Sequence, residues 1–159
     1  LWVGTIASTS IDRQETITVL ETQIDDLNPQ AIAYTLEQLL AAGALDVFTQ
    51  SIGMKKSRTG ILLTVICPPA KASICQQVIF RETTTLGIRQ QIQTRSVLER
   101  EIHSVATKYG VVRLKVASQD NRVINVQPEY EDCAMIARKQ NLPWRTIHQI
   151  ALDAWHHNN

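Results

Sequence analysis

Phe80-Arg81-Glu82-Thr83-Thr84-Thr85-Leu86-Gly87-Ile88-Arg89 is the stretch on which the fold turns. It closes an apolar run, sets three adjacent hydroxyls between charges, and places a glycine ahead of a new alternating segment. Consecutive threonines are weak helix formers, so a helix ends here and a strand follows. Hydroxyls also suit phosphate oxygens and the free N–H groups at a turn, and the flanking guanidinium groups match phosphate or carboxylate geometry. Two readings stand side by side: a polar turn that caps a helix and starts a strand, or an anion-binding elbow between two elements.

Upstream of it, Pro68-Pro69 opens a helix with Ile74, Val78 and Ile79 on its inner face. Ile61–Cys67 is a nearly continuous apolar run, the mark of a buried strand. Gly53–Gly60 is a basic loop, and Ala44–Ile52 alternates as a strand. Ile32, Leu36, Leu39 and Leu40 recur at helical spacing over Pro29–Ala42, between an Asn28 cap and Gly43. Glu15–Ile24 is β-branched and reads as the first strand. Gly87–Val97 is the last. The order strand–helix–strand–strand–helix–strand over residues 15–96 predicts a split βαβ, ferredoxin-like domain with both helices on one face of an antiparallel sheet.

Past a boundary near Ser96 the grammar changes. Leu98–Ala106, Val111–Ala117 and Arg122–Val126 read as three short strands. Pro128–Lys139 is helical with Tyr130, Cys133, Ile136 and Ala137 inward, and Trp144–Trp155 carries Ile147, Ile150, Ala151 and Ala154 on one stripe. The fold class is α+β: a ferredoxin-like domain (15–96), then a small α+β domain (97–159), with residues 1–14 as a linker or lead-in. The chain opens at Leu1 rather than Met, and a piece of a longer protein is expected.

The composition is that of an ordinary globular chain, 44% hydrophobic and 19% charged. A formal net charge of +1 supplies no global basic field, which argues against a nucleic-acid or membrane-surface binder; an anion site must be local. Cys67, Cys75 and Cys133 form neither a paired set nor a zinc-ligand spacing and read as small buried hydrophobes. A reducing cytoplasm fits. No apolar run approaches membrane-spanning length.

Four patches bear on chemistry. Asp25 and Asp26 sit at a strand end ahead of a helix N-terminus, where paired carboxylates either hold a hard divalent cation or complement the helix dipole. Lys55, Lys56 and Arg58 lie in the loop before Gly60, as a phosphate clamp or a solvated hairpin. In the opening stretch, Glu82 either joins Asp25 and Asp26 around a metal or pairs with Arg81 or Arg89. Asn125, Glu129, Tyr130 and Asp132 mark a strand end and an acidic helix entrance that faces a polar ligand or serves as a cap. His103, His148, His156 and His157 make no ligand cluster, and no nucleophile triad is present.

The segments Leu20–Pro29, Ala42–Val47, Met54-Lys55-Lys56, Phe80–Arg89 and Pro128–Cys133, together and in this order, resemble the C-terminal part of the LarC family, the nickel-insertion proteins of nickel-pincer nucleotide cofactor biosynthesis. The resemblance covers about Glu15 to the end. It implies a cytoplasmic, lyase-class enzyme that inserts nickel into pyridinium-3,5-bisthiocarboxylic acid mononucleotide, with CTP and Mg²⁺ or Mn²⁺ required, and it implies a homo-oligomer. The region matched is similar to the part credited with CTP and metal binding; the family's His-rich nickel-handling segment is not in this chain, so complete insertion is not expected of it alone. Within that family context, residue type assigns Lys55, Lys56, Arg58, Arg81 and Arg89 to the triphosphate, with Thr83, Thr84 and Thr85 as added donors. It assigns Asp25, Asp26 and Glu82 to the cation, directly or through water, and Asn125, Glu129, Tyr130 and Asp132 to the base or substrate side. The alternative is a non-enzymatic ferredoxin-like module that senses a ligand or oligomerises.

Overall fold

The computed structural model describes residues 13–158. The expected lead-in therefore lies outside the described residues except for Arg13 and Gln14, which already belong to a strand. The chain divides into two compact units, residues 14–95 and 96–159.

The first unit contains β1 (Arg13–Ile24), α1 (Pro29–Ala41), β2 (Asp46–Met54), β3 (Arg58–Cys67), α2 (Ala72–Glu82) and β4 (Arg89–Val97). Its four-stranded sheet has the order β2-β3-β1-β4. β3 runs antiparallel to both β1 and β2. The ion pairs Arg89–Glu21 and Arg95–Glu15 advance in opposite chain directions along β4 and β1, as an antiparallel pair requires. This is the ferredoxin-like plan.

Local chemistry sets each boundary. Asn28 caps α1 by accepting from the Ala31 N–H at 2.9 Å, with Pro29 in the first turn. Gly43 ends the helix in the left-handed region at φ 99°. Two residues on, the Leu45 N–H donates to the Ile66 carbonyl at 2.7 Å, which seats β2 on the sheet. The expected basic loop is shorter than its composition suggests: β2 continues to Met54 and β3 begins at Arg58, leaving only Lys55–Ser57 as the turn. Lys56 and Ser57 take φ of 62° and 56°, a left-handed pair whose twist suits a hairpin.

Leu20 and Ile24 of β1, Leu63, Val65 and Cys67 of β3, Leu39 of α1, and Ala72, Cys75, Val78 and Ile79 of α2 form the core. Each fully buried Leu or Ile contributes about 1.5–3 kcal/mol. One inward assignment fails. Ile74 is about half exposed, as is Leu40 of the α1 repeat, while Thr35 and Cys75 are among the buried residues of α1 and α2. Thr35 can be buried because its hydroxyl donates to the Ala31 carbonyl at 2.8 Å.

The second unit contains β5 (Glu99–Thr107), β6 (Gly110–Gln119), β7 (Arg122–Pro128), α3 (Tyr130–Gln140) and α4 (Trp144–Asn158). The strands form an antiparallel sheet in the order β5-β6-β7. Asp120 and Asn121 turn β6 into β7 with φ of 49° and 60°, the pair a two-residue hairpin favours. Val105, Val112, Leu114, Val116, Cys133, Ile136, Ala137, Ile147, Ala151 and Trp155 make its core. Tyr130 is not inward but 59% exposed, and Trp155 carries the bulk that the apolar stripe of α4 left unassigned.

Candidate functional site

The end of β1 is the hub of the first unit. Six consecutive residues, Glu21 to Asp26, reach both the α2–β4 loop and the β2–β3 hairpin. Glu21 faces Arg89 at 3.6 Å. The Thr22 hydroxyl bonds to the Thr85 hydroxyl and donates to the Gly87 carbonyl at 2.9 Å. Asp25 accepts from Arg58 Nη1 at 3.0 Å, and Asp26 accepts from the Thr84 hydroxyl. Strand alternation explains the division of labour: Thr22 and Ile24 turn to the helix side and are buried, while Asp25 and Asp26 leave the sheet at its end.

Gly60 permits the close approach. A Cβ there would lie 2.6 Å from the Ile24 carbonyl oxygen, 2.6 Å from Met54 Sδ and 3.3 Å from Asp25 Cβ. Only glycine lets β3 run this close to the carboxylate-bearing end of β1, and Arg58, two residues earlier, is thereby brought to Asp25.

The threonine loop is held from within. Thr83 Oγ1 donates to the Ile79 carbonyl at 2.7 Å, Thr84 Oγ1 to Asp26, and Thr85 Oγ1 to the Gly87 carbonyl at 3.1 Å. The hydroxyls expected to meet phosphate thus have protein partners, and their first role is to shape the loop. β4 consequently starts at Arg89, two residues later than its alternation suggests. Arg81 Nε donates to Glu82 at 2.5 Å, so Glu82 has its sequence neighbour as partner in this structure.

The structure therefore brings Asp25 to Arg58 and Asp26 to Thr84, with Lys55 and Lys56 exposed at the hairpin tip beside Arg58. It does not gather Asp25, Asp26 and Glu82 as three ligands of one ion: among the described residues no group of three or more His, Cys, Asp or Glu side chains converges for a metal. The reason is that Glu82 is turned to Arg81 and Asp25 to Arg58.

In the second unit, Asp132 accepts from both the side chain and the backbone N–H of Arg113. This fork holds the Asp132 carboxyl below the ordinary carboxylate range. Glu129 pairs with Lys115 at 3.0 Å. Asn125 lies exposed on β7 and accepts from the Gln127 amide at 3.3 Å. The Tyr130 ring stacks on Trp144 at 5.7 Å, and Trp144 on His148 at 4.8 Å. Arg113, Lys115 and Trp144 escaped the sequence reading because nothing local ties them to the helix entrance; β6–β7 pairing brings Arg113 and Lys115 there, and the start of α4 brings Trp144 against Tyr130. Thr22 escaped for the same reason.

Fold and hub together define a two-unit α+β protein whose ferredoxin-like unit presents paired aspartates, a facing arginine and a hydroxyl-rich loop at one sheet end. A family model described as nickel insertion protein matches residues 2–148, and the chain belongs to that family, as the C-terminal part of a LarC protein. A relative from Gloeothece citriformis named for nickel insertion is 65% identical over 99% of the chain and 39% of its own length. One from Rippkaea orientalis is 61% identical over 100% of the chain and 39% of its own. The chain thus spans about two fifths of the curated relatives it matches. The solved apo form of LarC2, described as the C-terminal domain of a cyclometallase involved in the synthesis of the NPN cofactor of lactate racemase, is similar at a TM-score of 0.85 and 38% identity, over 91% of this chain and 99% of that one. A Methanopyrus kandleri protein at 20% identity and a TM-score of 0.64 shares the fold.

Proposed function

We propose that this chain is the CTP- and cation-handling, oligomerising part of a nickel-insertion enzyme acting on pyridinium-3,5-bisthiocarboxylic acid mononucleotide in the cytoplasm. The observation that carries the reading is the convergence of Asp25, Asp26, Arg58 and the Thr83–Gly87 loop on one sheet end.

The donor set fits Mg²⁺ or Mn²⁺ held together with a nucleotide, because such an ion takes one or two carboxylates and completes its shell with phosphate oxygens and water. Asp25 and Asp26 would supply those carboxylates. The bound cation would neutralise triphosphate charge. Arg58, exposed at the hairpin base, would exchange its bond to Asp25 for a phosphate oxygen, with Lys55, Lys56, Arg81 and Arg89 adding positive charge around it. Glu82, paired with Arg81, would act on the cation through water. The second unit, taken by itself, would use Asn125 and Tyr130 to meet a base or the pyridinium substrate, and the Arg113–Asp132 and Lys115–Glu129 pairs would hold the entrance of α3 in place. Nickel is substrate here, and the segment that delivers it is proposed to lie in the remainder of the longer protein.

Titration calorimetry of the chain with CTP tests this directly. Binding is expected with Mg²⁺ or Mn²⁺ and lost with a chelator; no cation-dependent CTP binding would sink the reading. A stable oligomer in ultracentrifugation combined with no preference across a nucleotide panel would favour the non-enzymatic module instead.

A further inference from the structure

The structure assigns Thr22 the role of a positioning residue for the α2–β4 loop, and through that loop for the proposed nucleotide site. Its side chain is buried, at 2% exposure. Burying a hydroxyl costs free energy unless it is hydrogen-bonded. Thr22 meets that condition at two points on one loop, the Thr85 hydroxyl and the Gly87 carbonyl. The Thr85 hydroxyl lies within reach of the same carbonyl, so the two hydroxyl protons are shared among three mutually close oxygens under the loop.

Two further ties flank the triangle: Glu21 to Arg89 on one side, Asp26 to Thr84 on the other. Both are exposed pairs, which by themselves constrain little. Thr22 is the buried member. It is rooted in the centre of the sheet, where β1 pairs with both β3 and β4 and Thr22 stands opposite Leu63. The position and backbone direction of Thr84–Gly87 are therefore set by a strand residue that need touch no ligand.

The same strand contains its own control. Thr18 is on the same face and equally buried, at 1%, yet its hydroxyl finds no hydrogen-bond partner among the described residues. Valine has nearly the same shape as threonine without the hydroxyl. Thr18→Val removes an unpaired buried polar atom and is expected to be neutral or stabilising, whereas Thr22→Val removes the strand's hydrogen bond to the loop and leaves the Thr85 hydroxyl and the Gly87 carbonyl only each other.

This role rests on the proposed nucleotide site only for its functional readout, so two measurements are made on the chain. Amide hydrogen exchange reads the loop itself: Thr22→Val should speed exchange of residues 84–88 about tenfold, the effect of losing roughly one hydrogen bond, while Thr22→Ser and Thr18→Val leave it unchanged. Calorimetry with CTP and Mg²⁺ should then show about tenfold weaker binding for Thr22→Val alone, with rescue in Thr22→Ser. Unchanged exchange in Thr22→Val, or equal loss in Thr18→Val, overturns the positioning role. Faster exchange with unaltered CTP affinity confines Thr22 to loop structure and overturns its link to the site. If the wild-type chain binds no CTP, the nucleotide reading fails and the exchange result alone decides what Thr22 does.

Discussion

Gly60→Ala should damage this protein far more than the same change at Gly53, although both glycines lie in one hairpin. The added methyl at residue 60 would sit 2.6 Å from the Ile24 carbonyl oxygen and 2.6 Å from Met54 Sδ. Comfortable heavy-atom separation is about 3.5 Å, so each contact is short by roughly 1 Å. The sulfur can swing away at the end of a flexible side chain. The carbonyl cannot: Ile24 is paired with Ile61 in the β1–β3 ladder, and moving it opens the sheet beneath Asp25. Overpacking of this kind costs about 1–3 kcal/mol, which for a domain of this size lowers Tm by roughly 5–20 °C. At Gly53 nothing among the described residues lies within 4 Å of the added methyl, so the change should stay within about 0.5 kcal/mol. Urea and thermal unfolding followed by circular dichroism measure both. Met54→Ala combined with Gly60→Ala should recover only the sulfur's share. Full recovery in that double variant, or equal stability of the two single variants, would refute the argument that the β1 backbone is the obstacle.

Asp25→Asn should weaken cation-dependent CTP binding at least about tenfold in calorimetry while costing under about 1 kcal/mol of stability, since its partner Arg58 is largely exposed. Asn28→Ala should cost about 1 kcal/mol in denaturant unfolding through loss of the α1 cap. Asp132, whose carboxyl is held down by Arg113, contributes stability that is present above the usual carboxylate pKa of about 3.9 and is lost as pH falls through its lower folded value. The Tm gap between wild type and Asp132→Asn should therefore be full at neutral pH and close in acid. Cys67, Cys75 and Cys133 are buried, and burial pushes all three thiols up, Cys67 to about 11. A thiol-reactive dye should label none of them in the native protein at neutral pH and all of them in urea.

The element order of the first unit is legible in the chain because local physics writes it there. Pro29, Asn28 and Gly43 start and stop α1 by their own backbone preferences, and the apolar periods of β3 and α2 announce burial whatever they pack against. The same reading went astray where period alone had to choose an inward face. Ile74 and Tyr130 have the hydrophobicity to be buried but face outward, because a residue's exposure depends on which neighbouring element covers it.

For the site, the sequence by itself determined the ingredients: paired aspartates at a strand end, a basic turn, a threonine run between arginines. Tertiary structure alone decided the partnerships. Asp25 finds Arg58 across 33 positions, Asp26 finds Thr84 across 58, and Thr22 finds Thr85 across 63. Hydrogen bonds act over about 3 Å and carry no trace of chain separation, so only the strand order β2-β3-β1-β4, which puts β1 between the hairpin and the threonine loop, could show that these residues share one sheet end.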